Sequence, residues 1–182
     1  SLREAIAGHY AEHFNATVDP ARILVTPGAS GALLLASQLL AECGDRVLMA
    51  DPNYPCNRHF MALAGAEIDT VPVGRDSGWQ LTAPLIERHW QAKTRLAMLA
   101  SPSNPTGHTL DAEALTKVID TVAAKGGDVI VDEIYQGLNY DDAPLSATSL
   151  SEDAFVVNSF SKYFGMTGWR LGWLVAPEQA VE

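Results

Sequence analysis

Short apolar runs alternate along this chain with longer stretches in which apolar residues recur every three to four positions. The runs at 23–26, 47–50, 67–71, 95–100, 128–131, 154–158 and 171–175 predict strands. Several are almost continuously apolar, as expected of strands buried on both faces. Leu115, Val118, Ile119 and Val122 follow the i, i+3, i+4, i+7 rule, with Asp111 placed to cap a helix and Gly126 to stop it. Leu2, Ile6 and Tyr10 predict another helix at the start of the chain. The stretch after Ser30 is apolar almost all round, which predicts a buried helix ended by Gly44, with Cys43 at its close. Strands alternating with helices predict an α/β fold of three layers, α/β/α, around a mostly parallel sheet of about seven strands.

In such a sheet, ligands bind beyond the carboxyl ends of the strands. Five groups of chemically able residues fall there. Thr26-Pro27-Gly28-Ala29-Ser30 joins a strand to a helix start through small residues, where free backbone N–H groups favour an anion. Asp51-Pro52-Asn53-Tyr54-Pro55 sets an aromatic ring at a strand end, able to cover one face of a planar ligand. Ser101-Pro102-Ser103-Asn104-Pro105-Thr106-Gly107 is a tight turn offering the Asn104 amide. Asp132-Glu133-Ile134-Tyr135 ends the most apolar strand on a carboxylate, which is costly to bury unless a cation meets it. Ser159-Phe160-Ser161-Lys162 follows the sixth strand, and Arg170 stands eight positions after the lysine.

Each group has a plainer reading: a capped turn, a packing tyrosine, a proline turn, a solvated strand end, a surface lysine. Their joint occurrence in this order is what carries information. The set resembles the class I/II aminotransferases, a branch of the fold-type I enzymes that use pyridoxal 5'-phosphate, and the likeness runs from Leu2 to Gly172. The resemblance implies that Lys162 forms a Schiff base with the cofactor and acts as the proton-transfer base. It further implies that Asp132 meets the pyridine nitrogen and that Tyr54 stacks on the ring. Asn104 and Tyr135 reach its 3' oxygen. Ala29, Ser30, Ser159, Ser161 and Arg170 hold the phosphate. Asp132, Tyr135 and Lys162 form the catalytic set. The same likeness predicts cis peptides before Pro52 and Pro105. Glu133 reads as structural or as a support behind the site, Cys56 as a small packing residue with a place near the cofactor as the alternative, and Trp79, Trp90, Trp169 and Trp173 as packing, Trp169 bordering the site segment.

The implied reaction moves an amino group from an amino acid to a 2-oxo acid. A C–S β-lyase would use nearly the same residues, and a transcription regulator's cofactor-sensing domain has the same fold, so both stay open as alternatives. A nucleotide-binding reading finds no GxGxxG or GxxxxGK[ST] after a strand.

Composition narrows the partners. A net charge of −10 disfavours nucleic acid and anionic membranes. No apolar run approaches the ~20 residues of a membrane-spanning helix. The two cysteines, in no CxxC and with no histidine cluster at metal spacing, fit a reducing, cytoplasmic setting and no metal site. Both ends fall inside helical patterns, so residues 1–182 are expected to be the large cofactor-binding domain of a longer, homodimeric protein, without its N-terminal segment and C-terminal small domain.

Overall fold

The apolar runs pair edge to edge into one sheet. In the computed structural model, which describes residues 1–140 and 143–181, the strands are β1 (Ile23–Thr26), β2 (Arg46–Asp51), β3 (Glu67–Pro72), β4 (Thr94–Ala100), β5 (Asp128–Asp132), β6 (Phe155–Ser159) and β7 (Gly172–Val175). Each end lies within one residue of the boundary predicted from sequence. The order is β1-β7-β6-β5-β4-β2-β3. Neighbours run parallel except at β7, which is antiparallel to both β6 and β1.

Alternating side chains along each strand feed two cores. Leu48, Leu99, Val131, Val156 and Trp173 face one side, where they meet α1 (Leu2–Phe14), α4 (Ala83–His89) and α5 (Ala112–Ala124) through residues such as Tyr10, Ile86 and Val118. Val47, Met49, Met98, Ile130 and Val157 face the other, under α2 (Gly28–Leu40) and α3 (Asn57–Leu63). This is the three-layer arrangement expected. Helix ends follow the predicted chemistry: Asp111 accepts the Ala114 N–H at 2.8 Å at the start of α5, and Gly126 adopts φ +71° just past its end.

Several expectations are corrected. Helix α2 starts at Gly28 behind Pro27, so Ser30 lies in its first turn and is not its cap, and it ends at Leu40, before Gly44. It is not buried all round. One sheet face covers only one stripe of a helix; Ala29, Ala32, Leu33 and Ala36 fill that stripe, while Leu35 and Leu39 remain 42% and 53% exposed. Cys43 is exposed, beyond the helix. Trp169 does not pack and is 73% exposed. Cis peptides precede Pro52 and Pro105, as expected, and also Pro102. Among the described residues no helix is long and apolar enough to cross a membrane.

Candidate active site

The parallel strands deliver their carboxyl ends to one edge of the sheet, and the predicted site residues gather there. Tyr54, Asn104, Asp132 and Lys162 follow or end β2, β4, β5 and β6, and Ala29 and Ser30 open α2 just past β1. Arg170 precedes its strand. Because β7 runs the opposite way, its beginning lies at the edge where the other strands finish, and this reversal brings Arg170 into the group.

A cavity of about 330 Å³ is lined by nine of the ten residues singled out from sequence. The exception is Ser159, which lies beneath it. Ser159 is 1% exposed, and its hydroxyl accepts the Ser161 N–H at 2.9 Å, so it shapes the loop that carries Ser161.

One end of the cavity is built for an anion. It combines the N-terminus of α2, the Ser30 and Ser161 side chains and the Arg170 guanidinium. Arg170 is held at the left-handed φ of 50°, at an expense of about 1–2 kcal/mol for a non-glycine residue. Its Nη1 donates to Thr167 O at 3.1 Å and to Ser161 Oγ at 3.4 Å. Gly28 and Gly172 make the close approach possible. A Cβ on Gly172 would lie 2.6 Å from the Gly28 carbonyl carbon and 2.7 Å from Ala29 N.

The other end calls for a cation. Asp132 is 7% exposed, and burial pushes its carboxyl up to about 6, opposed by the Ile134 N–H that donates to Oδ1 at 3.0 Å. None of the ion pairs among the described residues involves it. The neighbouring Glu133 is 1% exposed and does not line the cavity. Its Oε1 accepts the Ala147 N–H at 2.6 Å, its Oε2 is buried without a partner, and burial pushes its carboxyl up to about 8.

Between the two ends stand Lys162, its Nζ 5.7 Å from the Tyr135 ring centre, and two converging donors: Asn104 Nδ2 lies 3.4 Å from the Tyr135 hydroxyl. Tyr54 closes one side, 42% exposed, and contact with the Cys56 thiol, more than burial, raises its phenol above the usual range. Cys56 does not line the cavity but stands beside Tyr54, which does. Thr167, Leu33, Phe60 and Ile134 also line the cavity without having been singled out. Of these only Thr167 had a signal, its place between two glycines ahead of Arg170.

Pyridoxal phosphate fits this donor set. It carries a phosphate at one end, a basic ring nitrogen at the other, and an aldehyde and a hydroxyl between. The cradle that a Cβ on Gly28 or Gly172 would fill, and the buried carboxylate without a cation, match its two charged ends.

Comparison with known proteins gives the same direction. The family model for aminotransferase class I and II matches residues 1–182. The valine–pyruvate aminotransferase of Mycobacterium tuberculosis is 42% identical over 178 residues, covering 97% of this chain and 46% of that protein. The (5-formylfuran-3-yl)methyl phosphate transaminase of Methanocaldococcus jannaschii is 33% identical over 184 residues, covering 100% and 46%. Among solved structures, an aminotransferase from M. tuberculosis superposes with a TM-score of 0.92 at 42% identity, covering 99% of this chain and 50% of that one. The aromatic aminotransferase of Pyrococcus horikoshii superposes at 0.92 with 35% identity, covering 99% and 49%. The chain spans about half the length of the curated relatives it matches.

Proposed function

Because the chain belongs to the class I and II aminotransferases, we propose that residues 1–182 are the cofactor-binding domain of an enzyme that passes an amino group from an amino acid to a 2-oxo acid. The observation that carries this reading is one cavity with opposite charge demands at its ends and a lysine amine between them. When bound, pyridoxal phosphate supplies an aldehyde carbon that condenses with amines and an electron-withdrawing ring that stabilises negative charge next to it.

The chain's own residues do the rest. Arg170, with its planar fork, and the N-terminus of α2 anchor the phosphate, with Ser30 and Ser161 completing the cup. Asp132 holds a proton on the ring nitrogen, a pairing that relieves the carboxylate of its uncompensated burial. Asn104 Nδ2 and the Tyr135 hydroxyl orient the ring through its phenolic oxygen. Tyr54 covers one ring face and keeps water from it. Among the described residues Lys162 is the only lysine lining the cavity. It is the attachment point for the cofactor and the base that takes and returns the proton at the substrate Cα.

The relatives' other halves, which this chain does not match, are assigned the remaining substrate contacts and the small domain, and the full-length enzyme is assigned a homodimeric state. The chain alone is therefore expected to lack turnover. Both cysteines are free, which suits a reducing cytoplasm.

The test is chemical trapping. Pyridoxal phosphate is added, excess is removed, borohydride is applied, and peptides are weighed. A pyridoxyl tag on the Lys162 peptide, absent from Lys162→Ala, is expected. A folded full-length protein that is untagged, or tagged elsewhere, overturns the reading. In that same protein, release of pyruvate and a thiol from a cysteine conjugate, without consumption of an oxo acid, would favour the β-lyase.

A further inference from the structure

Asn104 and Tyr135 stand on different turns, and little in their own contact keeps them together. Their hydrogen bond is 3.4 Å long, at the weak end of the range. Their spacing is set by whatever fixes the turn after β4 relative to the turn after β5. Two links cross that gap. Ser101 N donates to Asp132 O at 3.1 Å, extending the ladder. The second is a side chain: Gln136 Nε2 donates to Ser101 O at 3.0 Å.

Gln136 is 6% exposed and is held from both sides. Its backbone N–H donates to Glu133 O at 2.9 Å, and its Oε1 accepts the Leu145 N–H at 3.4 Å. Ser101, 2% exposed, is equally fixed, since its hydroxyl accepts the Leu110 N–H at 3.0 Å. A buried amide that exchanges these bonds for an apolar contact leaves a backbone carbonyl unpaired, and the turn moves to repair it.

We propose that Gln136 is a positioning residue that, by clamping the carbonyl of Ser101, sets the separation of the Asn104 amide from the Tyr135 hydroxyl and so their joint grip on an anionic oxygen. This rests on the functional reading above and adds to it a residue that neither touches the cavity nor belongs to the set expected from sequence.

The experiment uses full-length protein loaded with pyridoxal phosphate and follows its near-visible absorbance against pH. Donors to an oxygen favour its charged form, so weakening them raises the pH at which the Lys162-linked cofactor loses its proton. The titratable and charged groups facing the cavity are Asp132, Tyr54, Tyr135, Lys162 and Arg170, with Cys56 beside Tyr54, and substitution of Gln136 replaces none of them. Gln136→Met is expected to raise the midpoint by on the order of half a unit, and the shift is expected to vanish in a Tyr135→Phe background. An unchanged midpoint, or an equal shift with Tyr135 already replaced, overturns the proposal. Should Gln136→Met fail to fold, Gln136→Asn, one methylene shorter and still polar, is read by the same two outcomes. A wild-type protein with no absorbance band at all would instead sink the functional reading.

Discussion

Gly28 and Arg170 share one space. A Cβ on residue 28 would lie 2.6 Å from Arg170 Nη2 and 3.1 Å from Cζ, so the guanidinium rests where any other residue would carry a side chain. Gly28 also adopts φ +72°, which disfavours replacement independently. The arginine of the anion cup is thus placed by a residue 142 positions earlier, through the absence of an atom.

Gly28→Ala should push the guanidinium out of the cup while leaving the sheet intact. Affinity for pyridoxal phosphate is expected to fall about tenfold or more, equivalent to at least about 1.4 kcal/mol. The strained φ should lower stability by about 1 kcal/mol. Equilibrium titration with the cofactor and a denaturation curve separate the two effects; unchanged affinity would count against the cup.

Asp132→Asn should trade stability against chemistry. The carboxyl is raised from 3.8 to about 6 by burial, so the folded chain binds more protons than the unfolded one between those values. The cofactor-free protein therefore loses stability as pH rises through that window and carries the full penalty above it. The amide removes the penalty, and a higher melting temperature at pH 7 is expected. Amino-group transfer by the full-length variant should fall about a hundredfold, on the order of 2.7 kcal/mol in the barrier.

Glu133 makes a similar prediction in a different window. Its carboxyl is raised from 4.5 to about 8, chiefly by burial, so cofactor-free stability should decline as pH rises from about 4.5 to about 8. Glu133→Gln should flatten that decline, since the Ala147 N–H keeps its acceptor. Thermal melts at matched ionic strength decide it: equal slopes in the two proteins would show that Glu133 is not the titrating group.

Tyr10→Phe should destabilise the chain by about 1–3 kcal/mol, because the Trp173 indole N–H, which donates to the Tyr10 hydroxyl at 2.9 Å in a fully buried setting, is left without a partner. The denaturant midpoint should move with little change in slope. Simultaneous Trp173→Phe should recover part of the hydrogen-bond loss, although the smaller ring adds a packing defect.

The strands were legible because each is short, apolar and bounded by turn residues, and the lining of the candidate site was legible because its residues sit in compact local motifs. What escaped depends on relations between distant segments. Nothing local to α2 shows which of its faces the sheet covers, so Leu35 and Leu39 looked like core. Nothing local to Asp128–Asp132 shows that β7 reverses and carries Arg170 back. Gln136 gave no signal because its bond to Ser101 spans 35 residues. Ser159 was placed in the right loop but one layer too shallow.

The position of β7 also sets the order in which this chain can become competent during synthesis. Ile23 pairs with Val175 and Thr26 with Gly172, so among the described strands β1 has no neighbour until β7 has emerged. Pairings this far apart in sequence form slowly and leave edges exposed meanwhile. The floor of the anion cup, Gly172 against Gly28 and Ala29, arrives with the same four residues. A nascent chain that stops short of them already holds Lys162, Asp132 and Arg170 but lacks the strand that sets Arg170 against the start of α2. The anion cup therefore closes only in a chain that has been read at least as far as β7.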